Sequence, residues 1–193
     1  MEAVTGEDLI QRALRALAAY KPQRLDGTMA APAAVLLPLY RKEDEPNILL
    51  TLRTDHVEHH KGQISFPGGA SDADDPDLLT TALRETFEEV GIRPEHVEII
   101  GTLDDLITIS DFRVTPYVGL VRGPCPYPFA PHQREVAALI EVPLRHLLSP
   151  YSMELELREL RGKPVLVPAY TYGPHRIWGA TARILKGFLD LLS

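Results

Sequence analysis

Three carboxylates, Glu85, Glu88 and Glu89, fall within one helical turn of this 193-residue chain. Upstream stands Phe66-Pro67-Gly68-Gly69, a glycine turn that leaves backbone carbonyls exposed. Hard carboxylate and carbonyl oxygens suit Mg²⁺ or Mn²⁺, and Mg²⁺ usually keeps waters and shares substrate phosphates. The chemistry such donors serve is the breaking of a diphosphate, because bound ions lower the pKa of water and neutralise charge building on the phosphates. Nothing in the cluster is soft enough to demand zinc. A Glu-Glu pair alone is usually a solvated helix face. The preceding Arg84-Glu85, the following Gly91-Ile92 and the upstream glycines make this one a candidate metal site.

The element that must hold these carboxylates is a helix over 76–90. Asp75 supplies an N-cap, Pro76 tolerates the first turn, and Gly91 is a natural left-handed stop. At about 100° per residue, Leu79, Leu83, Phe87 and Val90 gather on one face, predicted to be buried. Glu85, Glu88 and Glu89 gather on nearly the opposite face, where their mutual repulsion would be reversed by a cation. Asn47 to Leu52 reads as a short apolar strand ending at Arg53. Arg53, His60 and Lys61 form a candidate phosphate-facing patch, since Arg and Lys pair well with phosphate oxygens; the plainer reading is a basic loop offsetting an acidic surface. His56, His59 and His60 raise zinc, but they lack a fixed element and a fourth ligand.

Further strands are predicted near Ala33–Tyr40, Ile48–Arg53, Val97–Leu103, Val114–Val121 and Val165–Tyr172, and helices near 7–20, 134–147 and 176–192. Strands and helices without regular alternation argue for an α+β fold. Within the predicted 134–147 helix, Glu135 suits the N-terminal turn ahead of Val136, Leu139 and Ile140.

The segment around the carboxylates resembles the Nudix box, G-x5-E-x7-R-E-U-x-E-E-x-G-U with U bulky and aliphatic. Arg84, Glu85, Glu88, Glu89, Gly91 and Ile92 match. The spacing from Gly69 to Arg84 is one residue longer than the pattern, and Asp72, Asp74, Asp75 and Asp77 fill the loop where the pattern has a Glu; Thr86 replaces an aliphatic residue. This version is similar to the coenzyme A diphosphatase branch, which often reads F-P-G-G-x-x-D before T-A-L-R-E. Here those stretches are Phe66-Pro67-Gly68-Gly69-Ala70-Ser71-Asp72 and Thr81-Ala82-Leu83-Arg84-Glu85. The branch's upstream signature, close to L-L-T-x-R-[S/A]-x3-R-x3-G-x3-F-P-G-G, is met by Leu49 to Arg53 and Gly62, with Thr54 in place of Ser or Ala and Glu58 at the second Arg. Gly101–Leu106, Val114–Gly119 and Ile177–Leu185 resemble later strands and the C-terminal helix of the same branch.

The resemblance implies an α/β/α sandwich around a mixed β-sheet. It implies an enzyme that hydrolyses the diphosphate of coenzyme A or its thioesters to 3′,5′-ADP and 4′-phosphopantetheine or its acylated form. Glu85, Glu89 and the Gly68 carbonyl would hold Mg²⁺ or Mn²⁺. Glu88 would be a further ligand or would orient the attacking water, and Arg84 would buttress the carboxylates. Glu135 falls where some Nudix proteins place a general base. Glu58 and Thr54 favour an alternative substrate: ADP-ribose, NADH or another nucleoside diphosphate derivative. A non-catalytic nucleotide-binding module is less favoured, since all three box carboxylates are present.

A chain of this length with 45% hydrophobic residues fits one domain, expected over 1–193 with helices about 7–20 and 176–192. Leu9, Ile10, Ala13, Leu14 and Leu17 make the first of these an amphipathic packing helix; acidic and Arg residues around it argue against a membrane span. The single Cys125 excludes an internal disulfide, and a cytoplasmic protein is expected. A net charge of −7 argues against nucleic-acid partners, though not against a small polyanion. A second copy of the chain is a candidate partner through the apolar Ala30–Leu39 stretch and the C-terminal helix, which a core explains equally well. The proline-dense Pro124–Pro131 stretch should be an irregular loop, overhanging the substrate.

Overall fold

Thr5 opens the first helix with a capping box: the Asp8 N–H donates to the Thr5 hydroxyl, and the Thr5 N–H donates to the Asp8 carboxylate. The computed structural model describes residues 5–54, 62–160 and 162–193, with only the backbone of Leu160. In chain order it contains α1 (Gly6–Ala19), β1 (Ala31–Lys42), β2 (Glu45–Arg53), β3 (Ile64–Ser65), β4 (Gly68–Ala70), α2 (Leu78–Val90), β5 (Val97–Thr102), β6 (Leu106–Ile107), β7 (Phe112–Val121), β8 (Val136–Pro143), α3 (Leu144–Leu147), β9 (Met153–Leu160), β10 (Lys163–Tyr172), β11 (His175–Ile177) and α4 (Gly179–Leu191). Among the described residues no helix is long and apolar enough to cross a membrane.

The main sheet is mixed. β1 runs parallel to β7, from Ala31 beside Phe112 to Tyr40 beside Val121, and antiparallel to β2. β5 extends the sheet antiparallel to β7, β8 pairs antiparallel with β2, and β4 lies antiparallel along the first half of β1. Alternation along the strands sends side chains to two cores. Leu37, Leu39, Ile48, Leu50, Val118 and Leu120 meet Leu9, Ile10, Ala13 and Leu17 of α1 and Leu185 and Phe188 of α4. Tyr40, Leu49 and Val121 face the other way, toward Val90, Ile92 and Tyr127. The sheet is thus sandwiched between α1 with α4 on one side and α2 on the other, the expected α+β, α/β/α arrangement. Each large apolar side chain fully withdrawn from water contributes about 1.5–3 kcal/mol. Most of the Ala30–Leu39 stretch and the apolar face of α4 are used inside this one chain.

Three expectations need correction. The predicted 134–147 helix is strand β8 followed by the short α3: Val136, Leu139 and Ile140 pair with Arg53, Thr51 and Leu50 of β2. A short apolar run suits either element, and the open edge of β2 decides. The α2 N-cap is Asp77, accepting from the Thr80 N–H at 2.7 Å, because the Asp75 carboxylate is engaged elsewhere. The face of α2 that packs inward is Thr81, Ala82, Thr86, Glu89 and Val90, while Phe87 is half exposed. That rotation follows from the glycines of β4. At Gly68, φ is +147° and a Cβ would stand 2.4 Å from the Ala34 carbonyl oxygen, so β4 lies close and α2 meets it with small and polar residues. The Pro124–Pro131 loop is irregular as expected, but Tyr127 is buried in the second core and Phe129 packs against it.

Candidate active site

The carboxylates of α2 are presented by a helix with a defined start and stop. Asp77 caps it, and Gly91 ends it in the left-handed conformation at φ 74°. The turn between them and the sheet brings together parts far apart in sequence. Glu89, buried on the inward face, receives Arg53 Nη1 from the end of β2 at 3.3 Å and the Gly68 N–H from β4 at 3.3 Å. Glu85 lies against β4: a Cβ on Gly69 would come within 2.7–2.8 Å of its carboxylate and displace it. Glu88 stays in solvent at 56% side-chain exposure.

Arg84 is fixed by Asp75, with Nε donating to Oδ1 at 3.0 Å and Nη2 to Oδ2 at 2.8 Å. The Thr81 hydroxyl and the Asp72 N–H add to the same carboxylate. Arg84 Nη1 then reaches Glu85 at 2.8 Å and Glu88 at 3.3 Å. Asp75, read from sequence as the helix cap, is instead the anchor of Arg84. Its position among the four aspartates that replace the pattern's Glu was the available signal. The bidentate pairing lowers the Asp75 carboxyl well below the ordinary carboxylate range and raises the Arg84 guanidinium.

The last arm of the site is the segment leading into β8. The Thr54 N–H donates to the Glu135 carbonyl at 2.9 Å, the Thr54 hydroxyl to the Arg134 carbonyl at 2.8 Å, and the His132 N–H to the Glu89 carbonyl at 2.9 Å. Glu135 is therefore the residue that enters β8 beside Arg53, not a helix-starting Glu, and its charge acts on both Glu85 and Glu89. His132 Nδ1 stands 3.5 Å from Glu135 Oε1. His132 was missed from sequence, where its only signal is the spacing to Glu135. His60 and Lys61, like His56, Glu58 and His59, lie outside the described residues.

The electrostatics of the cluster are unfavourable as it stands. Burial pushes the Glu89 carboxyl up to about 7, opposed by Arg53 and the Gly68 N–H and reinforced by Glu85 and Glu135. Burial also raises Glu85, against the pull of Arg84. Among the described residues no three His, Cys, Asp or Glu side chains are disposed to hold a metal ion as they stand; guanidinium groups hold the carboxylates instead. The donor set nevertheless fits a hard divalent ion. It consists of carboxylate oxygens whose charge is under-compensated, beside a glycine strand cleared of Cβ atoms.

Comparison with known proteins gives concordant results. A family model described as NUDIX domain matches residues 29–160. The chain is 44% identical over 156 residues to a protein of Enterobacter sp. (strain 638) called uncharacterized Nudix hydrolase NudL, covering 80% of this chain and 79% of that one. The likeness to the NudL of Yersinia pestis (strain Pestoides F) is 42% over 164 residues, covering 83% and 79%. A crystal structure of a NUDIX hydrolase from Alicyclobacillus acidocaldarius superposes with a TM-score of 0.51 at 19% identity, covering 85% of this chain and 93% of that chain, which speaks for the fold.

Proposed function

This chain belongs to the Nudix family, hydrolases that act on pyrophosphate bonds, and we propose that it cuts the diphosphate of coenzyme A or a coenzyme A thioester with Mg²⁺ or Mn²⁺. Hydrolysis of a nucleoside diphosphate derivative is the activity of the family, whose members generally use divalent metal ions. The observation that supports the narrower substrate is where the upstream signature lies. Leu49 to Arg53 run along β2 into the site, Thr51 pairs with Ser65 just before Phe66-Pro67-Gly68-Gly69, and Arg53 ends on Glu89. The segment resembling the coenzyme A branch is thus one wall of the carboxylate site rather than a remote patch.

In this reading Glu85 and Glu89 would hold the ion with the Gly68 carbonyl, and Glu88 would either join them or orient water. When bound, the ion supplies charge neutralisation for the diphosphate and acidifies water. Arg84, locked by Asp75, keeps Glu85 and Glu88 in place. Glu135 accepts a proton from the attacking water, whose oxygen forms the new P–O bond as the P–O–P bridge breaks. Arg53 binds the diphosphate, with His60 and Lys61 extending the basic patch. The products are 3′,5′-ADP and 4′-phosphopantetheine or its acylated form.

The test is incubation with coenzyme A and, separately, ADP-ribose in Mg²⁺ or Mn²⁺, with products identified by mass. Release of 3′,5′-ADP with little ADP-ribose turnover is expected. Efficient ADP-ribose cleavage with coenzyme A untouched would overturn the substrate and leave the metal chemistry.

A further inference from the structure

Two arginines serve the carboxylate cluster, and they are held very differently. Arg84 makes four contacts to carboxylates, two of them a fork on Asp75 at 2.8–3.0 Å. Among the described residues, the Arg53 side chain makes one contact, to Glu89 at 3.3 Å. Its Nε is buried and finds no acceptor among the described residues. A guanidinium carries five N–H donors, so Arg53 reaches the site with most of its fork unspent. A buried donor with no acceptor calls for a missing oxygen.

The backbone at Arg53 is fixed on both sides of the residue. Its N–H donates to the Gln63 carbonyl at 3.0 Å, and the next N–H, of Thr54, donates to Glu135. The β2–β8 register shifts between Leu52 and Arg53, an irregularity of the kind that redirects a side chain beside an active site. Glu89, for its part, accepts two bonds among the described residues, both long, although a carboxylate offers about four acceptor positions. A divalent ion carries twice the charge of a guanidinium and would compete with Arg53 for Glu89.

We infer that Arg53 is an exchangeable cation: it neutralises Glu89 in the metal-free site and passes to the diphosphate when a divalent ion takes Glu89, so that metal binds before substrate. The inference rests on the metal-dependent reading of the site above. It gives Arg53 two partners in sequence, a carboxylate and then a phosphate, and it distinguishes Arg53 from Arg84, which stays on Asp75 throughout.

The experiment follows the Arg Nε–Hε resonances of ¹⁵N-labelled protein, with Arg53 assigned through R53K, as Mg²⁺ alone and then ADP are added. The Arg53 signal is expected to move on Mg²⁺ alone and to move again on ADP. Calorimetry with Mn²⁺ alone gives a second readout: R53Q should bind Mn²⁺ about tenfold more tightly than wild type, while KM for the substrate rises about tenfold. An Arg53 signal unmoved by saturating Mg²⁺, or an R53Q affinity for Mn²⁺ equal to wild type, overturns the exchange. E89Q separates the two levels. If it abolishes Mn²⁺ binding while R53Q leaves affinity unchanged, the exchange fails and the metal site stands. If it leaves Mn²⁺ binding intact, both fall.

Discussion

Glu89 and Asp105 are almost equally withdrawn from water, with side chains 5% and 2% exposed, and each faces an arginine. Their surroundings are otherwise opposite. Asp105 accepts from Arg24 Nη1 at 2.9 Å, the Leu25 N–H at 3.0 Å and the Thr115 hydroxyl at 2.8 Å. Arg24 is also occupied, donating to the Leu103 carbonyl and the Thr102 hydroxyl. This network ties the segment after α1 to the sheet. Among the described residues, Glu89 accepts two bonds at 3.3 Å, shares its surroundings with Glu85 and Glu135, and faces an arginine with a buried donor that finds no acceptor. A buried carboxylate is therefore not marked as functional by burial. It is marked by too few donors and too many like charges, the condition that a metal ion relieves.

The largest expected effect separates the two by exchanging each carboxylate for an amide. Glu89→Gln should lower kcat/KM by about two to three orders of magnitude, as loss of several kcal/mol of metal-borne stabilisation requires. Its unfolding midpoint without metal should be at or above wild type, because an under-compensated buried charge has been removed. Asp105→Asn should leave kcat within about twofold and reduce stability by about 2 kcal/mol, since Arg24 loses its charged partner. Rates on coenzyme A and denaturant melts of both variants make the check. Loss of activity in Asp105→Asn at full folding, or full activity in Glu89→Gln, would break the contrast.

The same contrast predicts a pH dependence. Burial raises the Glu89 carboxyl to about 7 in the folded protein from its ordinary value of 4.5. Between those values the folded state holds the proton that the unfolded state has lost. Stability of the metal-free protein should therefore fall as pH rises through that window, and the full loss is present above about 7. At 1.36 kcal/mol per unit the loss is about 3 kcal/mol. Glu85, also raised by burial, adds in the same direction. Asp75 and Asp77 are lowered, so their stabilisation is lost only as pH falls below the ordinary carboxylate range. Melts from pH 4 to 8 in chelator should show a slope that Glu89→Gln largely removes. Equal slopes in the two proteins would mean that Glu89 is as well satisfied as Asp105.

Much of this was legible in the sequence because it is local. Gly91 stops α2 as expected, and Glu85 and Glu89 lie beside Gly69 and Gly68, while Glu88 stands out in solvent on Arg84. What was not legible depends on contacts between distant segments. Four aspartates precede α2, and only the reach of Arg84 decides that Asp75 anchors it and Asp77 caps. Spacing alone put Phe87 inside, whereas the close approach of glycine strand β4 turned Thr86 and Glu89 inward. The helix expected at 134–147 became β8 because β2 offered an edge, and that change moved Glu135 from a helix start to the rim of the site. The pairing of Arg53 with Glu89 spans 36 residues and has no local signature.

The smallest effect comes from matched deletions of one buried hydroxyl on each side. Thr115→Val removes a donor from Asp105, and Thr54→Val removes the bond to the Arg134 carbonyl. Both threonines are buried, at 4% and 8% exposure, and the shape is conserved in both changes. Each should therefore reduce stability by about 1 kcal/mol. Only one should touch catalysis. Thr54 holds the backbone that carries Glu135 into place, so Thr54→Val should lower kcat by about threefold to tenfold with KM nearly unchanged. Thr115→Val should leave both constants as they are, because Asp105 retains Arg24 and the Leu25 N–H. Stability and steady-state constants measured on the two variants side by side make the check. A kcat loss in both, or in neither, would place Glu135 outside the chemistry and make Thr54 as purely structural as Thr115.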